Sequence, residues 1–405
     1  MSKKTDTKQQ SVPADYTLPA WARGAAAAMA VAGLLVLAAG LALGVRVGDG
    51  MVRLWNSYLI SGFFFLSISL GALLFLLLMH VTRSAWSPAV RRPAEFMASN
   101  FWVVFLLFIP LYLNLPDVYE WVDPSHSTPL LEHKRAWLNE NGFWVRQAIY
   151  FAIWIALAAW YGRTSLKQDK SGDVELTRRM QWFSPVGLIL FAVSASLAAI
   201  DLLMSLEYEW FSSIFPIYVI SGAAVGFFAL FALTLLVLQG AGRLRTAVTA
   251  EHYHDIGKYL FGFVFFWGYV AFSQYLLMWY GNIPEETQWY LTRQSGPWGA
   301  VFLALIFGHL LLPFLGLVTR RLKRNRLVLS FWCVWLLAAH WLDLFWIIVP
   351  AYSPHAVQFG LLDIVLFAGF AAVFAAGILF RMARHPLAPI GDPRLKSSLA
   401  HKSTP

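Results

Sequence analysis

The chain is divided into ten blocks of mostly apolar residues, at 21–45, 54–82, 96–113, 143–162, 182–204, 211–239, 257–280, 297–319, 327–350 and 358–382. A helix rises about 1.5 Å per residue, so about 20 apolar residues cross a hydrocarbon core roughly 30 Å thick. In lipid every backbone N–H and C=O must find its partner inside the segment, and unbroken blocks of this length do so as helices. The expectation is an all-α integral membrane protein with ten transmembrane helices. Composition agrees, with 59% apolar and only 13% charged residues. Lys3, Lys4 and Lys8 lead into a polar tail and then a full-length span, which is not the design of a signal peptide.

The positive charges set the orientation. Most Lys and Arg fall in 1–20, 83–94, 163–181, 240–256, 320–326 and 381–405, whereas the intervening loops hold only Arg46, Arg53, Lys134, Arg135 and Arg293. Basic loops stay inside, so both termini are expected on the cytoplasmic side. The net charge of +9 is therefore topogenic and gives no support for nucleic-acid binding. The block Arg320–Arg326 reads as an anchor to anionic headgroups, and His80, at the inner end of span 2, as an interface residue. Trp121 and Trp137 suggest that the long outer loop lies flat at the interface. The single Cys333 excludes an intrachain disulfide and a cysteine-ligated iron–sulfur cluster held by this chain alone.

Short matches recur in order along the chain. Tyr58-Leu59-Ile60-Ser61-Gly62 pairs with Tyr218-Val219-Ile220-Ser221-Gly222, Asn114-Leu115-Pro116-Asp117 with Asn282-Ile283-Pro284-Glu285, and Leu197-Ala198-Ala199 before Asp201 with Leu337-Ala338-Ala339 before Asp343. They suggest two four-helix bundles, spans 2–5 and 6–9, flanked by spans 1 and 10. Four spans per copy make the repeats parallel, not inverted. The expected organisation is a tail at 1–20, the first span and outer loop at 21–53, bundles at 54–210 and 211–357, the last span at 358–382, and a tail at 383–405.

Ionisable groups within spans are costly and usually line a pathway or pair with something. His309 lies near mid-membrane, and Asp343 follows His340 by three residues on the same helical face. A carboxylate beside an imidazole suits a proton relay. His309, His340, Asp343 and Asp201 are the candidate proton path, the alternative being a polar cluster that only fixes packing. Two axial histidines could also hold a b-type haem, but the chain offers one such pair at most, and the first copy has no mid-depth histidine. Tyr58 and Tyr218 are candidate quinone contacts, although tyrosine at a helix end is ordinarily a belt residue. No metal site is read in His252-Tyr253-His254-Asp255, because i and i+2 do not share a helix face.

Two segments resemble the F subunit of bacterial alternative complex III, a branch of the polysulfide-reductase-like membrane subunits. They are Asp201–Phe215 and the run from His254-Asp255-Ile256-Gly257-Lys258 through Trp267-Gly268-Tyr269 to Gln274-Tyr275, continuing through Asn282–Thr287. The likeness extends over about residues 50–350. It implies a ten-helix, two-bundle fold in the bacterial cytoplasmic membrane and a part in quinol oxidation. It also implies partners: a paralogous membrane subunit, an iron–sulfur subunit and a multihaem cytochrome c subunit that carry the clusters and c-type haems. This chain, which lacks Cys-x-x-Cys-His, is expected to bind no redox cofactor of its own, with quinol contact open. A secondary transporter built from parallel repeats, or a purely structural membrane anchor, is the alternative.

Overall fold

A computed structural model describes residues 12–46, 50–123 and 128–403. Among these residues it is helical throughout, without strands, and ten helices are long and apolar enough to cross a membrane. Spans 1 to 5 are Ala22–Arg46, Gly50–Val81, Pro88–Tyr112, Glu140–Ser171 and Val174–Glu207. Spans 6 to 10 are Phe215–Gly240, Ala250–Gly281, Gly296–Leu317, Arg326–Tyr352 and Leu361–Met382. Span 3 starts earlier than its apolar block because a helix over Pro88–Ala98, carrying Arg91, Arg92 and Glu95, precedes Phe101–Tyr112. Those charges conceal the helix from a reading based on hydropathy.

Span 2 is the centre of the molecule, with 89% of its apolar window buried, against 72% for span 6 and 22% for spans 1 and 8. Spans 2–5 pack in succession, as do spans 6–9, and the two groups meet chiefly where span 2 lies on span 6. Span 2 also touches span 9, as span 6 touches span 5. Small residues permit the closest crossing: a Cβ at Gly71 would stand 2.4 Å from Phe227 Cβ and 2.6 Å from the Ala223 carbonyl oxygen. Without a hydrophobic drive between helices in lipid, such close backbone approach supplies the packing. Spans 1 and 10 run along each other at Gly33, Gly40 and Gly369 and lean on span 2.

One face carries both described ends of the chain and the basic segments. Asp15 accepts from the Arg245 and Thr246 backbone, and Leu387 N–H donates to the Tyr16 carbonyl. The segment after span 10 is folded, not a loose tail. Arg91 bridges Glu95 and Asp392, both at 2.8 Å, while Arg92 meets Glu95 at 3.0 Å and Asp169 at 2.7 Å. Both arginines are fully buried, so the basic segment 83–94 takes part in an internal ionic lattice. His80 is buried against the Tyr161 ring and does not reach headgroups. The Arg320–Arg326 block likewise turns partly inward: Arg324 pairs with Glu251 at 2.6 Å, and Lys323 Nζ donates to the Leu317 and Val318 carbonyls that end span 8. Pairing offsets the cost of burying these cations, since an end-of-span cation that finds an acceptor need not extend to lipid.

Two outcomes test this packing. Gly71→Leu should cost at least about 1–3 kcal/mol, the usual penalty of overpacking, and lower the melting temperature in detergent well beyond Gly24→Leu, whose position is open. The ionic lattice gives a pH dependence. Burial would raise the Asp392 carboxyl, but Arg91 and Arg394 outweigh it and hold Asp392 well below the usual carboxylate range. A lowered carboxylate adds stability that is complete above its unfolded value and is lost as the pH falls toward the folded one. Proteolysis of the segment 383–403 should therefore be constant from neutral pH to about pH 5 and accelerate only below about pH 4, the unfolded aspartate value. In Arg394→Ala it should be faster already at neutral pH.

Candidate functional site

A buried polar cluster lies inside the second group of helices. Asp343 on span 9 is 2% exposed and accepts two hydrogen bonds, one from the Tyr218 hydroxyl on span 6 and one from Trp267 Nε1 on span 7 at 3.1 Å. No ion pair to Asp343 is found among the described residues. One turn away, His340 Nε2 lies 2.8 Å from Ser67 Oγ on span 2. Ser67 has a single hydroxyl proton and gives it to the Phe64 carbonyl at 2.7 Å. With that proton on Phe64, Ser67 accepts from His340 Nε2, and Nδ1 is then the acceptor of the neutral ring. Span 6 makes room with two glycines four residues apart. A Cβ at Gly222 would be 3.4 Å from His340 Nδ1, and one at Gly226 only 2.8 Å from its Cδ2. A side chain at Gly226 would displace the imidazole, whereas a Cβ at Gly222 would meet it at ordinary contact distance.

His309 joins the cluster from span 8, with its ring centroid 3.9 Å from that of Trp267. It lies in a π-helical turn, Ile306–Leu311. Pro313 has no N–H for the His309 carbonyl four residues earlier, so the regular ladder is interrupted there. Trp335 Nε1 donates to the neighbouring Gly308 carbonyl at 2.7 Å, steadying the widened turn. Such bulges recur where a helix presents a functional side chain. Both His309 nitrogens and His340 Nδ1 are buried without a hydrogen-bond partner in the protein. Groups of this kind cost free energy unless water or a ligand meets them. The arrangement does not suit a bis-histidine haem, because His340 Nε2 is bonded to Ser67 and the ring lies flat on span 6.

Sequence singled out His309, His340 and Asp343, and the fold brings these three together with Tyr218. Asp201 is elsewhere. It lies at the end of span 5 and is held by Arg146 Nε at 2.8 Å, Trp137 Nε1 at 2.8 Å and the Tyr150 hydroxyl at 3.0 Å. The matching aspartates thus have different partners, a guanidinium for Asp201 and only neutral donors for Asp343. Tyr58 is also buried and gives its hydroxyl to the Leu107 carbonyl at 2.6 Å, so neither it nor Tyr218 stands in an interfacial belt. Trp121 is buried too, leaving Trp137 half exposed at the loop surface. Asp363 accepts from Ser57 and the Gly360 N–H, capping span 10. No group of three or more His, Cys, Asp or Glu able to hold a metal occurs among the described residues.

From Tyr218 a polar series continues toward the face opposite the termini. Tyr290, on the short helix Pro284–Gln294, is near enough to Tyr218 and Asp343 to interact electrostatically. Gln274 Nε2 donates to the Tyr290 hydroxyl at 3.0 Å, and Ser212 donates to Gln274 Oε1 at 3.1 Å, where Ser212 is already 9% exposed. Arg293 fixes this helix. It pairs with Glu207, lies 3.9 Å over the Trp289 ring and donates at 3.2 Å to the Trp346 carbonyl, which Pro350 leaves without its helical partner. Sequence reasoning missed Ser67, Trp267, Gln274 and Tyr290. The Gly222–Gly226 spacing was the available signal that span 6 faces something bulky.

Tyr218→Phe should remove one of the two Asp343 donors and destabilise the protein by about 1–3 kcal/mol in chemical unfolding. Tyr58→Phe frees only a backbone carbonyl and should cost about 1 kcal/mol. Comparison of the chain with family models and with curated proteins finds no match, so the chemistry of the cluster has to carry the functional reading.

Proposed function

We propose that this chain is an integral membrane subunit of a quinol-oxidising respiratory complex of the alternative complex III type, and that its second helix group handles protons. The observation that carries the proton-handling part is Asp343: a buried carboxyl with two neutral donors and no cation, beside two histidines with unpartnered nitrogens. The assembly itself is suggested by the resemblance of 201–215 and 254–287. In this reading, iron–sulfur clusters and c-type haems belong to partner subunits, and a paralogous membrane subunit offers the principal quinol site. By the positive-inside rule the basic face is cytoplasmic, as are both termini, and the Ser212 end of the polar series opens to the other side of a bacterial cytoplasmic membrane.

Asp343 exchanges its proton through Tyr218 and intervening water with Tyr290, Gln274 and Ser212. His340, whose Nδ1 is a free acceptor, and His309 extend the cluster into the bundle. The Asp201–Arg146 pair is a closed structural contact outside this route. Tyr58 and Tyr218 already spend their hydroxyls within the protein, which favours proton handling over quinone contact for Tyr218 and gives Tyr58 a packing role.

The test combines purification with turnover. The chain should co-purify with haem-containing and iron–sulfur subunits, whereas a secondary transporter would purify without them. His340→Ala with Asp343→Asn should leave assembly intact while slowing quinol-driven proton release by at least about tenfold, the low side of the usual range for a lost acid–base group. Unchanged turnover and proton yield in that double variant would sink the proton-handling role. Purification without redox partners would sink the assembly.

A further inference from the structure

The folded segment 383–403 walls off a groove on the basic face that the proton route does not use. The groove has a volume of about 580 Å³, within the range of small-ligand sites. It is amphipathic along span 7. At the surface end it is lined by Asp255, Lys258, His401, Lys402 and Ser403. Going one to two turns into the membrane, the lining changes to Tyr259, Gly262, Phe263 and Phe266, with Trp86 alongside.

We propose that this groove binds an acidic phospholipid, its phosphate against Lys258 and Lys402 and an acyl chain laid over Gly262 against Phe263 and Phe266. Charge selects the headgroup. Asp255 is already engaged by Lys258 at 2.6 Å, by His401 Nε2 at 2.6 Å and by Ser403 at 2.8 Å. The Lys258 side chain nevertheless remains 46% accessible, and Lys402 is exposed. Cations at the rim of a spanning helix attract anionic headgroups. Shape selects the chain: a Cβ added at Gly262 would meet nothing within 4 Å, leaving an open lane on the lipid-facing side of span 7. Phe266, 40% exposed, forms the deeper wall. Trp86 and Tyr259, stacked at 5.9 Å, mark the headgroup level where such rings gather.

The site is testable on the purified complete protein with its co-purifying subunits, by native mass spectrometry after delipidation. Phosphatidylglycerol should be retained at least fivefold over phosphatidylcholine. Lys258→Gln with Lys402→Gln should abolish the preference, and Gly262→Leu, which fills the lane and keeps both lysines, should abolish retention. The open space at Gly262 makes misfolding by that substitution easy to detect as an outlier in melting temperature. Inorganic phosphate at millimolar concentration should not displace the lipid. Equal retention of the two lipids, retention unchanged in Gly262→Leu, or displacement by phosphate alone would each overturn the assignment.

Discussion

The crossing of spans 2 and 6 is the contact on which the rest depends. Gly71 lies against Phe227 and the Ala223 backbone so closely that no side chain fits between them. Gly222 and Gly226, each one residue before Ala223 and Phe227 on span 6, leave room there for His340 of span 9, which reaches Ser67 on span 2. The polar cluster is therefore a product of the helix crossing. Its residues come from five spans, and none of them is near another in sequence apart from His340 and Asp343.

Proline has a second, related part. Pro313 and Pro350 each remove one backbone donor in a span, and in both places a side chain donates to a carbonyl at the break. Trp335 bonds the carbonyl beside the π turn that presents His309, and Arg293 bonds the Trp346 carbonyl released by Pro350. Irregular helix is tolerated in lipid only where the freed groups are satisfied within the protein. These two breaks frame the cluster, one at its histidine and one beside the helix Pro284–Gln294 that carries Tyr290.

The two matched aspartates show how similar sequence can yield unlike chemistry. Asp201 and Asp343 both follow a Leu-Ala-Ala triplet within a span. Arg146 on span 4 neutralises the first, and among the described residues no cation pairs with the second. An ion pair closed by three donor side chains rigidifies the end of span 5. A carboxyl held by a tyrosine and a tryptophan has only neutral donors around it. The difference lies in what the adjacent helix supplies.

Sequence alone determined the ten spans, because block length against bilayer thickness and the need to pair every backbone group leave few alternatives. It also picked out His309, His340 and Asp343, since an ionisable residue inside an apolar block is conspicuous. It could not separate Asp201 from them, because partner identity depends on which helix lies alongside. Charge read as solvated was equally ambiguous: Arg91, Arg92 and Lys323 follow the topogenic pattern yet are buried, having acceptors in Glu95, in Asp169 of span 4, in Asp392 after span 10 and at the end of span 8. Hydropathy is a local property summed along one helix, whereas pairing, tautomer and cavity shape are set between helices. Those were decided by the tertiary structure.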